Sequence, residues 1–296
     1  MNTSSILNTG SKSNHNRKNI QTAGNIIRYI LLTFAAFCFL MPIMWFITSS
    51  FRTNQEVFAN LNPFSLKLMF FGNYSLNSYI SLFMKYEFYR PVFNTILVCA
   101  LTIVLGIFFA SMAGYAFAKM RFAGRKTMFL LVIFAIMVPF DAIAIPLYSI
   151  IGKLNWINTY QALIIPTLAN GLVIFMFKQF FMDVNDSLIE SARIDGANEF
   201  LIFFRIIFPI SKPTIISGAL ILFMAQWNAF MWPLLCARTP NLRMVQVALS
   251  DFQTEFGTNW SEQFAGMTIS LAIPCMILMP FQKYYIRGIA TSGIKE

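Results

Sequence analysis

The stretch ESARIDGANEFLIFFRIIFP, Glu190 to Pro209, separates two long apolar runs. Glu190, Asp195 and Glu199 fall close together within it, and that density of charge excludes the stretch itself as a membrane span. Just upstream, Ser187 and Glu190 have the spacing of a capping box, and Asp186 adds negative charge near the positive end of a helix. A short helix is expected to begin there, run through Ala192 to about Ile194, and stop at Asp195-Gly196, where glycine takes up the left-handed backbone that ends helices. Asn198 is placed to cap a second helix, with Glu199 in its first turn, reaching Phe208 before Pro209. Ser191, Ala192, Gly196 and Ala197 leave an elbow of little bulk, and Leu188 and Ile189 supply apolar contact. Two placements stay open on this physics: a knob in the groove of a partner protein, or an amphipathic segment resting on lipid headgroups.

Outward from the elbow, runs free of Asp, Glu, Lys and Arg extend from Tyr29 to Phe51, Pro91 to Ala118, Leu154 to Phe177, Pro213 to Ala237 and Gln263 to Gln282. A further run, Thr127 to Gly152, is interrupted only by Asp141. Each is long enough to cross ~30 Å of hydrocarbon as a helix. The fold expected is therefore all-α, a polytopic membrane protein with six transmembrane helices. The first run is longer than the apolar core of a signal peptide and is read as a retained span. The polar segment ahead of it, to roughly Thr22, is expected to be disordered. Of the 22 Lys and Arg residues, 15 fall in alternate segments that include both termini and the elbow. The positive-inside bias puts those segments in the cytoplasm. The expected organisation is a cytoplasmic tail over residues 1–25, a six-span domain over 26–287 carrying the loop 186–209, and a cytoplasmic tail over 288–296.

Composition agrees with this reading. The chain of 296 residues is 57% hydrophobic, 16% aromatic and 11% charged, too few charges to cover a water-soluble globule of that size. A net charge of +10 invites a nucleic-acid reading, but the basic residues sit at the ends of apolar runs and orient the chain in a lipid bilayer. No nucleic-acid partner is expected. Cys38, Cys99, Cys236 and Cys275 lack metal-ligand spacing and read as small core residues. His15 is the sole histidine and lies in the polar tail, so neither a metal site nor a Ser-His constellation can be assembled. No catalytic residue and no cofactor is expected.

Candidate substrate-path residues lie inside the runs. Asp141, between Pro139 and Pro146, is a costly intramembrane carboxylate in a segment whose two prolines imply a broken helix with exposed carbonyls. It either faces a polar path or bonds a neighbouring helix near the outer interface. Trp227, Asn228 and Trp232 offer flat rings and an amide, the chemistry that holds sugars, and Gln226 adds a second amide; the same residues serve equally as packing and interface-belt groups. The loop Phe51 to Arg90, rich in Tyr, is long enough either to contact a docking protein or to cover a pore mouth.

Glu190, Ala192, Asp195, Gly196 and Ala197, followed by Ile206 and Pro209, resemble the EAA loop of membrane subunits of binding-protein-dependent ABC importers. Ser191 and Phe208 depart from the usual Ala and Leu. AGYAFAKMRFAGRK (Ala113 to Lys126), VPFDAIAIPLY (Val138 to Tyr148), WNAFMWPLL (Trp227 to Leu235) and the tail GIATSGIKE (Gly288 to Glu296) are similar to the branch of sugar-importer permeases related to the maltose-type second membrane subunit. The resemblance implies a type I ABC importer permease fold with a cytoplasmic coupling helix between spans 4 and 5, formed by Glu190, Ala192, Asp195, Gly196 and Ala197. It implies as partners a homologous second permease subunit, a dimeric ABC ATPase and an extracytoplasmic sugar-binding protein. The substrate implied is a disaccharide or oligosaccharide, with glycerol phosphate or another polyol as the alternative within the family. The chain has no GxxxxGK[ST] phosphate loop, so ATP hydrolysis belongs to the partners. A stand-alone ion-coupled carrier is the competing class; it needs inverted repeats and intramembrane charge, and only Asp141 is available.

Overall fold

The computed structural model describes residues 7–58, 72–254 and 257–281. It is helical almost throughout; the strand pairing among the described residues is a two-residue antiparallel ladder, Gln253–Thr254 against Gly257–Thr258. Helix α1 spans Leu7–Ser49. From Leu7 on, the polar segment expected to be disordered continues the first apolar helix backwards. Next come α2 (Asn77–Met84), α3 (Tyr89–Lys119), α4 (Arg125–Met137) and α5 (Phe140–Lys153). Helix α6 (Tyr160–Ile164), extended by a 3-10 turn to Thr167, leads to α7 (Gly171–Met182).

The elbow supplies α8 (Asp186–Ile194), α9 (Glu199–Ile202), a π-helical turn at Phe203–Ile207 and α10 (Phe208–Ile210). Helices α11 (Lys212–Trp227), α12 (Met231–Cys236), α13 (Val245–Ser250) and α14 (Trp260–Leu278) follow within the described residues.

Among the described residues, three helices are long and apolar enough to cross a membrane: Gly24–Ser49, Tyr89–Lys119 and Trp260–Phe281. Three bent pairs meet the same test jointly: Arg125–Met137 with Phe140–Lys153 at 105°, Tyr160–Thr167 with Gly171–Met182 at 41°, and Glu199–Ile210 with Lys212–Trp227 at 78°. Counting each pair as one span gives six. The apolar runs thus overstate helical continuity. The third run breaks at Val138-Pro139, where proline removes a donor and forces the preceding residue to extended backbone. The fourth becomes helical only at Tyr160, and the fifth stops at Trp227 before a separate turn of helix at Met231.

The packing centre is the contact of α3 with α7 and α11. A Cβ at Gly114 would lie 2.5 Å from Phe177 Cβ and 2.9 Å from the Lys178 backbone nitrogen, so the absence of a side chain lets the two helix backbones touch. Around this crossing Tyr115, Phe177, Phe181, Ile202 and Ile207 form one buried cluster, which carries the elbow directly beneath the helices.

Candidate functional site

Two regions gather the residues singled out in the sequence. In the elbow, α8 starts at Asn185, whose side-chain oxygen accepts from the Ser187 backbone N–H at 3.0 Å. The expected Ser187 cap is thus displaced two residues upstream: Ser187 already lies in the first turn, with its N–H taken by Asn185. Gly196 has φ of +82°, the left-handed turn that ends the helix. Asn198 caps α9 by accepting from Leu201 N–H at 2.8 Å.

Ile189 and Ala192 face inward into the buried cluster, and Ala197 packs half-buried against it. Glu190, Ser191, Asp195 and Gly196 are exposed. So are apolar residues on the same elbow: Ile194 at 86%, Phe200 at 66%, with Leu188 and Leu201 beside them.

The elbow is tied to α3 by two side chains of that helix, Tyr115 and Lys119. Tyr115, almost fully buried, donates its hydroxyl to Glu199 Oε2 at 2.8 Å, and Arg193 Nε donates to the other carboxylate oxygen at 2.9 Å. Lys119 Nζ donates to the Val184 carbonyl at 2.6 Å and to Asp186 Oδ1 at 2.5 Å. The hydrogen bond from the Lys119 ammonium, reinforced by its charge, holds the Asp186 carboxyl below the ordinary carboxylate range. A basic helix end was legible at Lys119; the hydroxyl at Tyr115 is an aromatic position in an apolar run until the fold places Glu199 opposite it.

The second region is a cavity of about 440 Å³ between α11, α13 and α14. Trp227, Asn228, Gln246, Ser250, Gln263 and Ser270 line it. Trp227 is buried, its Nε1 donating to the Ser270 carbonyl at 3.1 Å and its ring stacked on Phe223, so its indole serves as a fixed wall. Asn228 is exposed, its Nδ2 donating to the Met224 carbonyl at 2.9 Å. Gln246 Nε2 reaches the Trp227 carbonyl at 3.2 Å and Ser270 Oγ at 3.4 Å.

The structure separates the remaining candidates from this group. Gln226 is buried and donates to Thr102 Oγ1 at 3.1 Å and Thr167 Oγ1 at 2.5 Å, linking α11 to α3 and to the turn after α6. Trp232 is buried behind it, its Nε1 donating to the Ala162 carbonyl at 2.9 Å. Asp141 stands exposed in the first turn of α5, at the break after Pro139, and does not line the cavity. Gln246, Gln263 and Ser270 carried no motif; spacing along the chain gives no sign that a short helix after α12 will face the start of α14. The tail Gly288 to Glu296 lies outside the described residues.

A family model described as "Binding-protein-dependent transport system inner membrane component" matches residues 102–291, which include the elbow and the cavity. The arabinooligosaccharides transport system permease protein AraQ of Halalkalibacterium halodurans is 32% identical over 264 residues, 88% of this chain and 93% of the relative. The sn-glycerol-3-phosphate transport system permease protein UgpE of Pectobacterium atrosepticum is 30% identical, over 66% of this chain and 70% of its own. Among solved structures, a chain of a bacterial ABC transporter involved in the import of the acidic polysaccharide alginate superposes with a TM-score of 0.77 at 22% identity, covering 89% of this chain and 96% of that one. That likeness shows the fold, the type I permease architecture.

Proposed function

Because this chain belongs to the family of binding-protein-dependent transport system inner membrane components, we propose that it forms half of the membrane pore of an ATP-driven ABC importer for a disaccharide or oligosaccharide. It is a transport subunit, and its relatives are permease proteins. The partners of this reading are a homologous second permease, a dimeric ATPase and an extracytoplasmic sugar-binding protein. The three long helices and three bent pairs make six spans, with both termini and the elbow in the cytoplasm and the spans in the bacterial cytoplasmic membrane.

The observation that carries the mechanism is the elbow: Ile194 and Phe200 stand exposed beside Glu190 and Asp195, on a helix pair whose other face is built into the core. Apolar side chains on a polar surface favour a protein groove as their destination. Glu190, Ala192, Asp195, Gly196 and Ala197 form the coupling helix seated in the ATPase. Nucleotide-driven closure of the ATPases moves the elbow, and its hydrogen bonds through Tyr115 and Lys119 pull on the inner end of α3. Substrate passes beside the helices on the far side of that core.

Gly196→Trp tests this reading. A Cβ at Gly196 meets no atom within 4 Å, so a large side chain there changes the outer surface of the elbow at the cost of strain at positive φ. In proteoliposomes holding the full complex, ATP-dependent sugar uptake and co-purification of the ATPase should both fall sharply. Wild-type values for both would sink the coupling role. A second reading, a glycerol phosphate importer, draws on the 30% identity to UgpE and predicts uptake of sn-glycerol 3-phosphate in preference to sugars. An ion-coupled carrier is separated by collapsing the ion gradients while ATP is kept up: a carrier stops, an ATP-driven importer continues.

A further inference from the structure

We propose that the cavity between α11, α13 and α14 is a subsite on this subunit for a neutral, polyhydroxylated ligand, held by the carboxamides of Gln263, Gln246 and Asn228; the proposal rests on the importer reading and narrows its substrate class. Gln263 is 3% exposed, and its Oε1 has no hydrogen-bond partner among the described residues although the residue lines the cavity. Buried carbonyl oxygens in folded proteins are paired by protein, by water or by a bound molecule. That oxygen is closed to water as it stands, and a small turn of the Gln263 side chain brings it to a hydroxyl donor in the cavity.

The surrounding groups match that chemistry. Gln246 spends its Nε2 on the Trp227 carbonyl and on Ser270 Oγ, an arrangement that fixes the amide plane and leaves its oxygen outside those bonds. Asn228 uses one of its two Nδ2 hydrogens on the Met224 carbonyl. Ser250 donates to the Val247 carbonyl at 2.7 Å and retains lone pairs to accept. Each of these groups thus keeps an oxygen able to accept, and Asn228 keeps an N–H able to donate. Sugars, which carry many hydroxyl donors on an apolar carbon frame, complement such a wall, with Met224, Met267 and Leu271 against their C–H faces. The volume of about 440 Å³ falls in the range of small-molecule sites, ~300–1,000 Å³.

Charge sets the selectivity. No Lys, Arg, His, Asp or Glu is among the residues that line the cavity. A phosphate or uronate carboxylate would enter with no cation to offset its lost hydration, the costly arrangement for a desolvated anion. The site therefore favours neutral saccharides over phosphorylated or acidic ones.

The test uses the assembled importer in lipid nanodiscs. Equilibrium binding is measured for arabinotriose and lactose, and for sn-glycerol 3-phosphate and a mannuronate trimer. ATP-driven import of the same four probes is measured in proteoliposomes. The wild type should bind a neutral probe and neither anion. Gln263→Leu and the near-isosteric Gln246→Met should each weaken binding about tenfold or more, the factor expected from losing a hydrogen bond in a buried site. Melting temperature and assembly are followed in parallel, and Gln246→Met keeps the test alive if Gln263→Leu fails to assemble.

Neutral-sugar binding at wild-type strength in assembled variants overturns the subsite, as does tighter binding of an anion than of either neutral probe. ATP-driven sugar import alongside that result leaves the importer reading standing. Binding that the variants weaken, without any ATP-driven import by the wild type, supports the subsite and removes the importer reading. Neither binding nor import of a neutral probe overturns both.

Discussion

The elbow and the cavity distribute polarity in opposite senses. In the elbow, a segment rich in charge pushes Ile194 and Phe200 into the open; in the cavity, a segment rich in Leu, Met and Phe folds Gln246, Gln263 and Ser270 inward. Each departs from the rule that apolar groups go in and polar groups go out, and in the function proposed above each suits a different occupant. Exposed aliphatic and aromatic groups on a helix pair suit another protein, whereas amides gathered on a cavity wall suit a small polar molecule. The two regions are joined through α3, whose Tyr115 and Lys119 hold the elbow and whose Thr102 holds Gln226 behind the cavity. Motion at one end thus has a physical route to the other.

The sharpest way to break this contrast is Ile194→Glu. The side chain is almost wholly exposed, so folding should change by less than about 0.5 kcal/mol. ATPase recruitment, measured by co-purification, should fall about tenfold or more if Ile194 is an anchor of the docking surface. An unchanged yield of complex would return the elbow to the headgroup-resting alternative.

Gly114→Ala comes next and acts on both regions at once. The added methyl would press on the Phe177 Cβ and the Lys178 backbone, and backbone cannot be moved as a side-chain tip can. Overpacking of this kind costs about 1–3 kcal/mol, read as a lowered thermal midpoint in detergent. A midpoint equal to wild type would show that α3 and α7 adjust more freely than their contact implies.

The smallest effect is confined to the elbow and depends on pH. The Asp186 carboxyl has a folded pKa below its unfolded value, so the Lys119–Asp186 pair contributes stability that is fully present above the unfolded carboxylate pKa of about 4. That contribution is lost as pH falls through the lowered folded value. Asp186→Asn should therefore be slightly less stable than wild type at pH 6, with the two converging below pH 4. A gap that persisted in acid would assign the loss to something other than the ion pair.

How much of this was legible before folding differs by element. The elbow was read closely, because its determinants are local: Gly196 and Asn198 act on backbone groups within a few residues of themselves. Its start was misplaced from Ser187 to Asn185 because both residues are good caps and local chemistry alone does not rank them. The apolar runs located the long apolar helices and bent pairs, and the prolines foretold the break between α4 and α5, yet hydropathy does not register that α11 stops at Trp227. Trp227 and Asn228 were found by residue type. Their cavity partners Gln246 and Gln263 were not, since each comes from a different helix.

The sequence by itself determined that this chain is helical with several apolar runs, that its basic residues gather in alternate segments between them, and where a glycine-broken elbow separates two of those runs. Those properties follow from composition, periodicity and chemistry acting over a few neighbouring residues. Only the tertiary structure decided that Tyr115 meets Glu199, that Gln226 is bound up between Thr102 and Thr167, and that Gln263 opens onto a cavity with Gln246. A hydrogen bond across a long stretch of chain depends on how helices cross, and the crossing is set where Gly114 allows two backbones to touch.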